Sequence, residues 1–400
     1  MAVETAAATY GLLLGSDSAG TSILYLLAGM IFIFTMLSMP AATLPGTDGS
    51  KKNWTLKLLL TGVMIFLAWI SSRYWFFQIP IDPDFADMLP VIKVMNERLI
   101  HGNWKQIYDP IPEIWNGTRP IYLPAMWLPY LPAIFLHFDM RWITVAALLV
   151  GFSWILWGIS VKDNRYFGYG QILLAAILFW WIFSRDDVHG LISMSEEGVV
   201  IFYFVLLTWA ILKENVFLMG IAASLCMLSR YSLIGWIIPC LVFFISKKDY
   251  RKALIFSGTG LGCLLLLFIL PFGYPVIAEM IALPGNYIAF AKHVWEFTPE
   301  VYWLNLGLAK FYGLHGMAAL HRTLVLASFT IPMLFMIFCI GQKKWKLQNV
   351  NLACFKLSLL VFYQFIDVPY GYLFYTNSFV SLLIAGALLS PKESPLSPAP

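Results

Sequence analysis

Long unbroken apolar runs separated by short charged patches set the pattern of this chain. The runs fall at roughly 22–39, 56–72, 142–161, 167–183, 198–212, 216–229, 232–246, 254–271, 323–340, 352–366 and 372–389. A helix needs about 20 mostly apolar residues to cross about 30 Å of hydrocarbon. Lipid offers the backbone no hydrogen-bond partner, so only helices or closed barrels can span it. The runs are continuous rather than alternating, which predicts helices and not a barrel. The expectation is an all-α polytopic membrane protein with about eleven or twelve crossings, one transmembrane domain over 1–390 and a Pro/Ser-rich loose tail at 391–400. The twelfth candidate, 120–136, is interrupted by Pro124, Pro129 and Pro132.

Composition agrees. The 400 residues are 60% hydrophobic and only 12% charged, against about a quarter charged in soluble domains. Net charge is +4, with no basic stripe interleaved with aromatics, so nucleic acid is not an expected partner. The five cysteines all fall inside apolar runs without a C-x-x-C pair; they read as small core residues, not a metal or disulfide framework. No Lys or Arg precedes Lys51, so the first run lacks the basic flank of a signal peptide and reads as a retained span.

The Lys/Arg patches at 51–57, 162–165, 213, 247–252 and 343–346 read as cytoplasmic by the positive-inside rule. That places 73–119, 184–197 (with Asp186, Asp187, Glu196 and Glu197) and 272–322 outside. One parity conflict follows. Either 120–136 is re-entrant or lies along the surface, or 216–246 crosses only once. Two of the outer segments are far longer than a connector, and long loops usually carry function.

The first long loop holds Asp82, Asp84 and Asp87. It continues with Met88, Leu89, Ile92, Met95 and Leu99 at helical spacing, which predicts an amphipathic helix lying in the interface. His101-Gly102-Asn103 ends that helix, Tyr108-Asp109-Pro110 turns, and Ile121-Tyr122-Leu123-Pro124 leads back toward the membrane. Asp87 reads either as an N-cap of this helix or as a base at the membrane–water boundary, where ionisable groups are often functional. Asp84 reads either as a solvated turn acid or as that base. The three carboxylates together offer oxygen ligands to a divalent cation.

This order of elements resembles the GT-C fold glycosyltransferases, and within them glycosyltransferase family 87, which includes polyprenol-phosphate-mannose-dependent alpha-mannosyltransferases of mycobacteria. The residues carrying the resemblance are Asp87 (or Asp84), Gly102, Ile107-Tyr108-Asp109 and Tyr122-Leu123-Pro124, then the Gly-containing helix Gly220–Arg230 followed by Tyr231 and Pro239. Leu123 stands where the family often has Pro, and the run 22–39 precedes the usual first helix. The resemblance covers about 56–252 by motif. It implies a GT-C-like bundle, multi-pass in a bacterial cytoplasmic membrane, with its active site on the outer face. The implied donor is a polyprenyl-phosphate-linked hexose, with mannose the sugar of the family. The implied acceptor is a glycan or glycolipid of the cell envelope.

In such a reaction a carboxylate takes the acceptor proton during direct, inverting displacement. The leaving phosphate monoester needs cations or oriented donors rather than an acid. No cofactor is required by this chemistry, and a divalent metal is possible through the Asp82/84/87 set. Candidate substrate residues are Tyr108, Tyr122, Glu197, Arg230, Lys292 and His293. Arg230 interrupts an apolar stretch, as either a cavity-facing cation or a snorkelling turn residue. Glu197, beside Glu196, opens a span as either a favourable helix N-terminal charge or a cavity acid. Lys292-His293 lies among Tyr287, Phe290, Trp295 and Phe297, suited to sugar stacking and equally to an interfacial belt. No Walker A, Gly-x-Ser-x-Gly or His-Glu-x-x-His sequence occurs. The rival expectations are a non-enzymatic lipid or solute transporter, for which no internal repeat is visible, and an O-antigen ligase or polymerase, for which more outer-loop Arg is expected.

Overall fold

The computed structural model describes residues 1–10, 18–39, 54–114, 117–158, 165–185, 190–342 and 347–388. Lys51, Lys52, Lys162, Asp186, Asp187, His189, Lys343, Lys344, Lys346 and the tail 391–400 lie outside them. Among the described residues the chain is helical throughout, with one isolated bridge, Ile111–Thr118, and no strand. Six helices are long and apolar enough to cross a membrane, and four shorter apolar ones lie at Gly168–Ser184, Glu197–Leu212, Val216–Met227 and Tyr231–Ser246. This is a membrane-embedded, all-α polytopic chain.

The order is α1 (Ala2–Tyr10), α2 (Ser18–Ser38), α3 (Trp54–Gln78), α4 (Met88–Ile100), α5 (Pro124–Trp127), α6 (Leu131–Phe135), α7 (Arg141–Gly158) and α8 (Arg165–Ser184). Then follow α9 (Glu197–Leu212), α10 (Val216–Met227), α11 (Ile234–Ser246), α12 (Tyr250–Leu264), α13 (Leu270–Phe297), α14 (Glu300–Trp303), α15 (Met317–Gly341), α16 (Leu347–Gln364) and α17 (Tyr375–Leu388). The span ending in α17 is 94% buried and is the central post; α3 is 11% buried and faces outward.

The amphipathic helix after the acidic loop is α4. Its Leu89, Val91, Ile92 and Met95 are buried, while Lys93 and Glu97 pair across one turn on the other side. Gly102 takes φ +78°, a left-handed angle that costs a glycine nothing, and ends the helix where the sequence breaks. Arg98 then gathers the carbonyls of Gln106, Asp109 and Pro110 at 2.7–3.0 Å. The first loop is thereby a folded cap on one end of the bundle, here termed the Asp87 end.

Four expectations are corrected or resolved. The segment 120–136 is not a crossing. It is three short helical turns, each opened by a proline at its first or second position, where the missing N–H is harmless. Each next proline ends the preceding turn. Second, 272–322 is not an open loop, because α13 and the start of α15 fill most of it. The one backbone break in α13 is Gly273 (φ 72°, ψ −179°). Third, 216–246 crosses up and back. Arg230, after α10, meets Glu197 at the start of α9. Val216 and Met219 lie with Phe243, Lys247 and Ile211 at the opposite end. Last, the hydropathy pattern does not mark α1, nine residues tucked against α2, α8 and α17.

The close packing of this bundle uses small residues. A side chain at Gly220 would collide with Thr259 and the Phe256 carbonyl, and one at Gly235 with the Ser328 carbonyl.

Candidate functional site

Polar groups converge at the Asp87 end. The α9 helix begins on Glu196 and Glu197, both buried. After α10 the chain turns extended at Arg230 (φ −144°, ψ 141°), sending its guanidinium across to those carboxylates. Nε and Nη2 reach Glu197 Oε2 at 2.9 and 2.5 Å, and Nη2 reaches Glu196 Oε1 at 3.2 Å. Thr376, in the first turn of α17, donates to Glu197 Oε1 at 3.0 Å. The Glu197 N–H donates to Ser195 Oγ, and the Ser195 carbonyl accepts from Thr144, itself bonded to Tyr130. Glu197 is thus fully committed. Glu196 keeps one buried oxygen, Oε2, without a partner among the described residues.

Asp87 faces this group from the cap. Its carbonyl accepts from Val91, but its side chain makes no capping bond to α4. Burial, with the nearby Glu196 charge adding to it, pushes the carboxyl up to about 6. Tyrosines surround the cluster. Tyr122 is within electrostatic reach of Asp87, Glu196 and Arg230, and Tyr370 and Tyr287 of Asp87. Tyr372 donates to Met88 Sδ at 3.1 Å and stacks parallel on Tyr370.

Asp84 stands apart. It is exposed, and its N–H donates to Asp82 Oδ1 at 2.9 Å in a turn closed by the Asp82 carbonyl. Among the described residues no three of His, Cys, Asp and Glu converge as a metal ion would need. Tyr108 is buried, edge-on to Phe272, with its hydroxyl accepting from Trp127 at 3.4 Å; it props the cap rather than facing the carboxylates. Lys292 and His293 are exposed on α13, where His293 packs on Phe297, and are not brought into the cluster.

A second pair, unforeseen as a unit, adjoins the tyrosines. His321 Nδ1 lies 2.6 Å from Asp367 Oδ2. Asp367 is buried, and its Oδ1 has no partner among the described residues. Burial pushes its carboxyl up, while His321 opposes this. Tyr287 lies within electrostatic reach of both Asp367 and Asp87. The break Asp367-Val368-Pro369-Tyr370-Gly371 between two apolar runs was the available sequence signal.

The arrangement therefore offers a proton-accepting carboxylate, a structural carboxylate–guanidinium triad, a belt of phenol hydroxyls and an oriented imidazole. Comparison with family models, with curated proteins and with solved structures finds no match to this chain.

Proposed function

We propose that the chain is a GT-C-type membrane glycosyltransferase. It moves a hexose, mannose by the resemblance, from polyprenyl phosphate to a glycan or glycolipid at the outer face of the cytoplasmic membrane. The observation that carries this reading is Asp87, a carboxylate free of its helix-capping duty. It is held near pH 6 at the bundle end where a span, an amphipathic helix and a tyrosine-lined cluster meet. A base is most effective when its pKa lies near the working pH.

The acceptor hydroxyl attacks the anomeric carbon and gives its proton to Asp87. The anomeric C–O bond to phosphate breaks, its electron pair stays on the phosphate, and the configuration inverts. Tyr122 and Tyr370 supply hydroxyls to the sugar. Glu196 and Glu197 hold Arg230, which supports a role in keeping these two carboxylates buried and fixed over one on the phosphate. His321 takes the phosphate role instead. Asp367 orients its Nδ1, leaving Nε2 to donate to the leaving oxygen when the ring is protonated.

The test is transfer from radiolabelled polyprenyl-phosphate hexoses by the purified protein. Asp87→Asn lowers kcat by about 10²–10⁴-fold, the usual worth of a general base. Asp84→Ala stays close to wild type. Transfer by the Asp87 variant within tenfold of wild type removes the base assignment. A panel of donors giving no transfer at all removes the enzyme reading.

A further inference from the structure

The outward face of α3 carries a cation with no anion. Arg73 is exposed, five residues before the helix ends at Gln78. At about 1.5 Å per residue it sits about 7.5 Å inside that end. Among the described residues no carboxylate pairs with it; its one contact is the Trp69 ring, 5.2 Å from the guanidinium carbon. An arginine at such depth on a lipid-facing helix needs a counter-charge or a route to water.

Beside it opens a groove of about 630 Å³, lined by Trp69, Arg73, Phe76, Phe77, Asp139 and Trp142. The other charges on its rim are already paired. Both Asp139 oxygens are held by Arg141, at 2.6–3.1 Å. Arg141 also binds the carbonyls of Phe76 and Ile79, clamping the end of α3 to α7, and packs over the Phe76 ring. The wall is therefore rigid and apolar, and its net charge is that of Arg73 alone.

We propose that the α3–α7 groove binds one anionic glycerophospholipid. The phosphodiester sits on Arg73, and an acyl chain lies along Trp69, Phe76 and Trp142. Charge complementarity selects this occupant. A phosphodiester with an uncharged headgroup cancels the single positive charge, whereas a choline headgroup returns a second cation to the rim. The site is on the outside of the bundle and does not depend on the chemistry assigned to Asp87.

The experiment is native mass spectrometry of the full chain released from detergent. The protein is titrated with phosphatidylglycerol, phosphatidylcholine, polyprenyl phosphate or inorganic phosphate. Wild type retains one phosphatidylglycerol with about five- to tenfold preference over phosphatidylcholine, the scale of one interfacial arginine–phosphate contact. Arg73→Gln abolishes the preference and Arg73→Lys keeps most of it. Arg73 packs against no interior group, so both variants fold, checked by unchanged melting. Equal retention of the two phospholipids by wild type overturns the proposal, as does unchanged preference in Arg73→Gln. Displacement of phosphatidylglycerol by polyprenyl phosphate assigns the groove to the donor and overturns it too. Displacement by inorganic phosphate makes the groove an anion site without lipid, which likewise overturns the proposal.

Discussion

In an Asp87→Asn variant the side chain keeps its shape but can neither take a proton nor repel Glu196. The carboxyl is held at about 6, against an ordinary value near 4. Ionising it in the folded protein therefore costs up to about 3 kcal/mol, and about 2 kcal/mol once its partial exposure is allowed for. The native value is the raised one. Wild-type stability contributed by this group is thus complete below about pH 4, where the acid is neutral folded or unfolded. It is lost as pH rises through 6. The asparagine variant matches wild type at pH 4 and exceeds it by about 2 kcal/mol at pH 8, seen as a melting temperature higher by a few degrees. Transfer moves the opposite way. Wild-type activity climbs as pH rises through 6, and the variant lacks both the activity and this limb. Melting in lipid nanodiscs from pH 4 to 8, beside initial rates over the same range, gives both curves. A variant less stable than wild type at pH 8, or a wild-type rate flat through pH 6, refutes the burial argument.

Four further outcomes follow from other contacts. Arg230→Met leaves Glu196 and Glu197 buried without their cation and costs about 3–5 kcal/mol; the triple change with Glu196→Gln and Glu197→Gln recovers most of it, read as yield and melting in nanodiscs. Lys356 Nζ binds Glu4 Oε1 at 2.5 Å and Asn377 Oδ1 at 2.9 Å with no exposure at all. Lys356→Met alone is therefore strongly destabilising, while Lys356→Met with Glu4→Gln returns close to wild type in a double-mutant cycle. His321→Gln lowers kcat by about 10²-fold, the usual worth of one oriented donor at a developing charge, read as initial rates of transfer. Gly235→Ala presses a methyl against the backbone carbonyl of Ser328, which cannot rotate away, and costs about 1–3 kcal/mol in the same melting assay.

How much of this was readable in the sequence depended on whether the determining contact was local. The α4 helix was legible because Leu89, Ile92 and Met95 repeat along one face and Gly102 punctuates its end. The α2 and α3 spans were legible because lipid selects for apolar runs irrespective of tertiary partners. The α1 helix was not, since its nine residues carry no apolar run and Glu4 finds its partner 352 residues away. The α13 helix was hidden by Pro271, Pro275 and Pro284, which read as loop although the backbone breaks only at Gly273. In the site, Asp87, Glu197 and Arg230 were marked by charge at an apolar boundary and Tyr122 by the Tyr122-Leu123-Pro124 run, and folding brings them together. Lys292 and His293 carried the same mark but lie on the exposed face of α13. The His321–Asp367 pair spans 46 residues, so composition alone could not join it.

A polar ladder on α17 bears on whether this bundle transforms a lipid-linked sugar or passes a solute through. Thr376 binds Glu197, Asn377 binds Lys356, and Ser381 binds Glu4 Oε2 at 2.8 Å. Buried polar groups thus descend from the Asp87 end to Lys356, midway along α16. Beside Lys356 aromatic rings take over most of the interior, although Trp236 still donates to the buried Asn351 at 3.1 Å. Phe355 packs against Phe204 and against Trp236, which meets Phe256, and α17 continues as Leu382, Leu383 and Ile384, all buried. A transporter needs a path reachable from both faces around a midplane site. On the proposed enzyme reading, the rings of Phe355, Phe204 and Trp236 form a floor beneath this ladder, and the substrate enters from the Asp87 end alone. The ladder also explains the buried Glu4–Lys356 pair. It fixes α1 against α17, and α17 carries the Thr376 that holds Glu197. Proteoliposomes decide between the two uses. Phe355→Ala, which removes the floor's central ring, leaves transfer measurable without opening solute flux in an enzyme; flux through the wild-type protein returns the transporter reading.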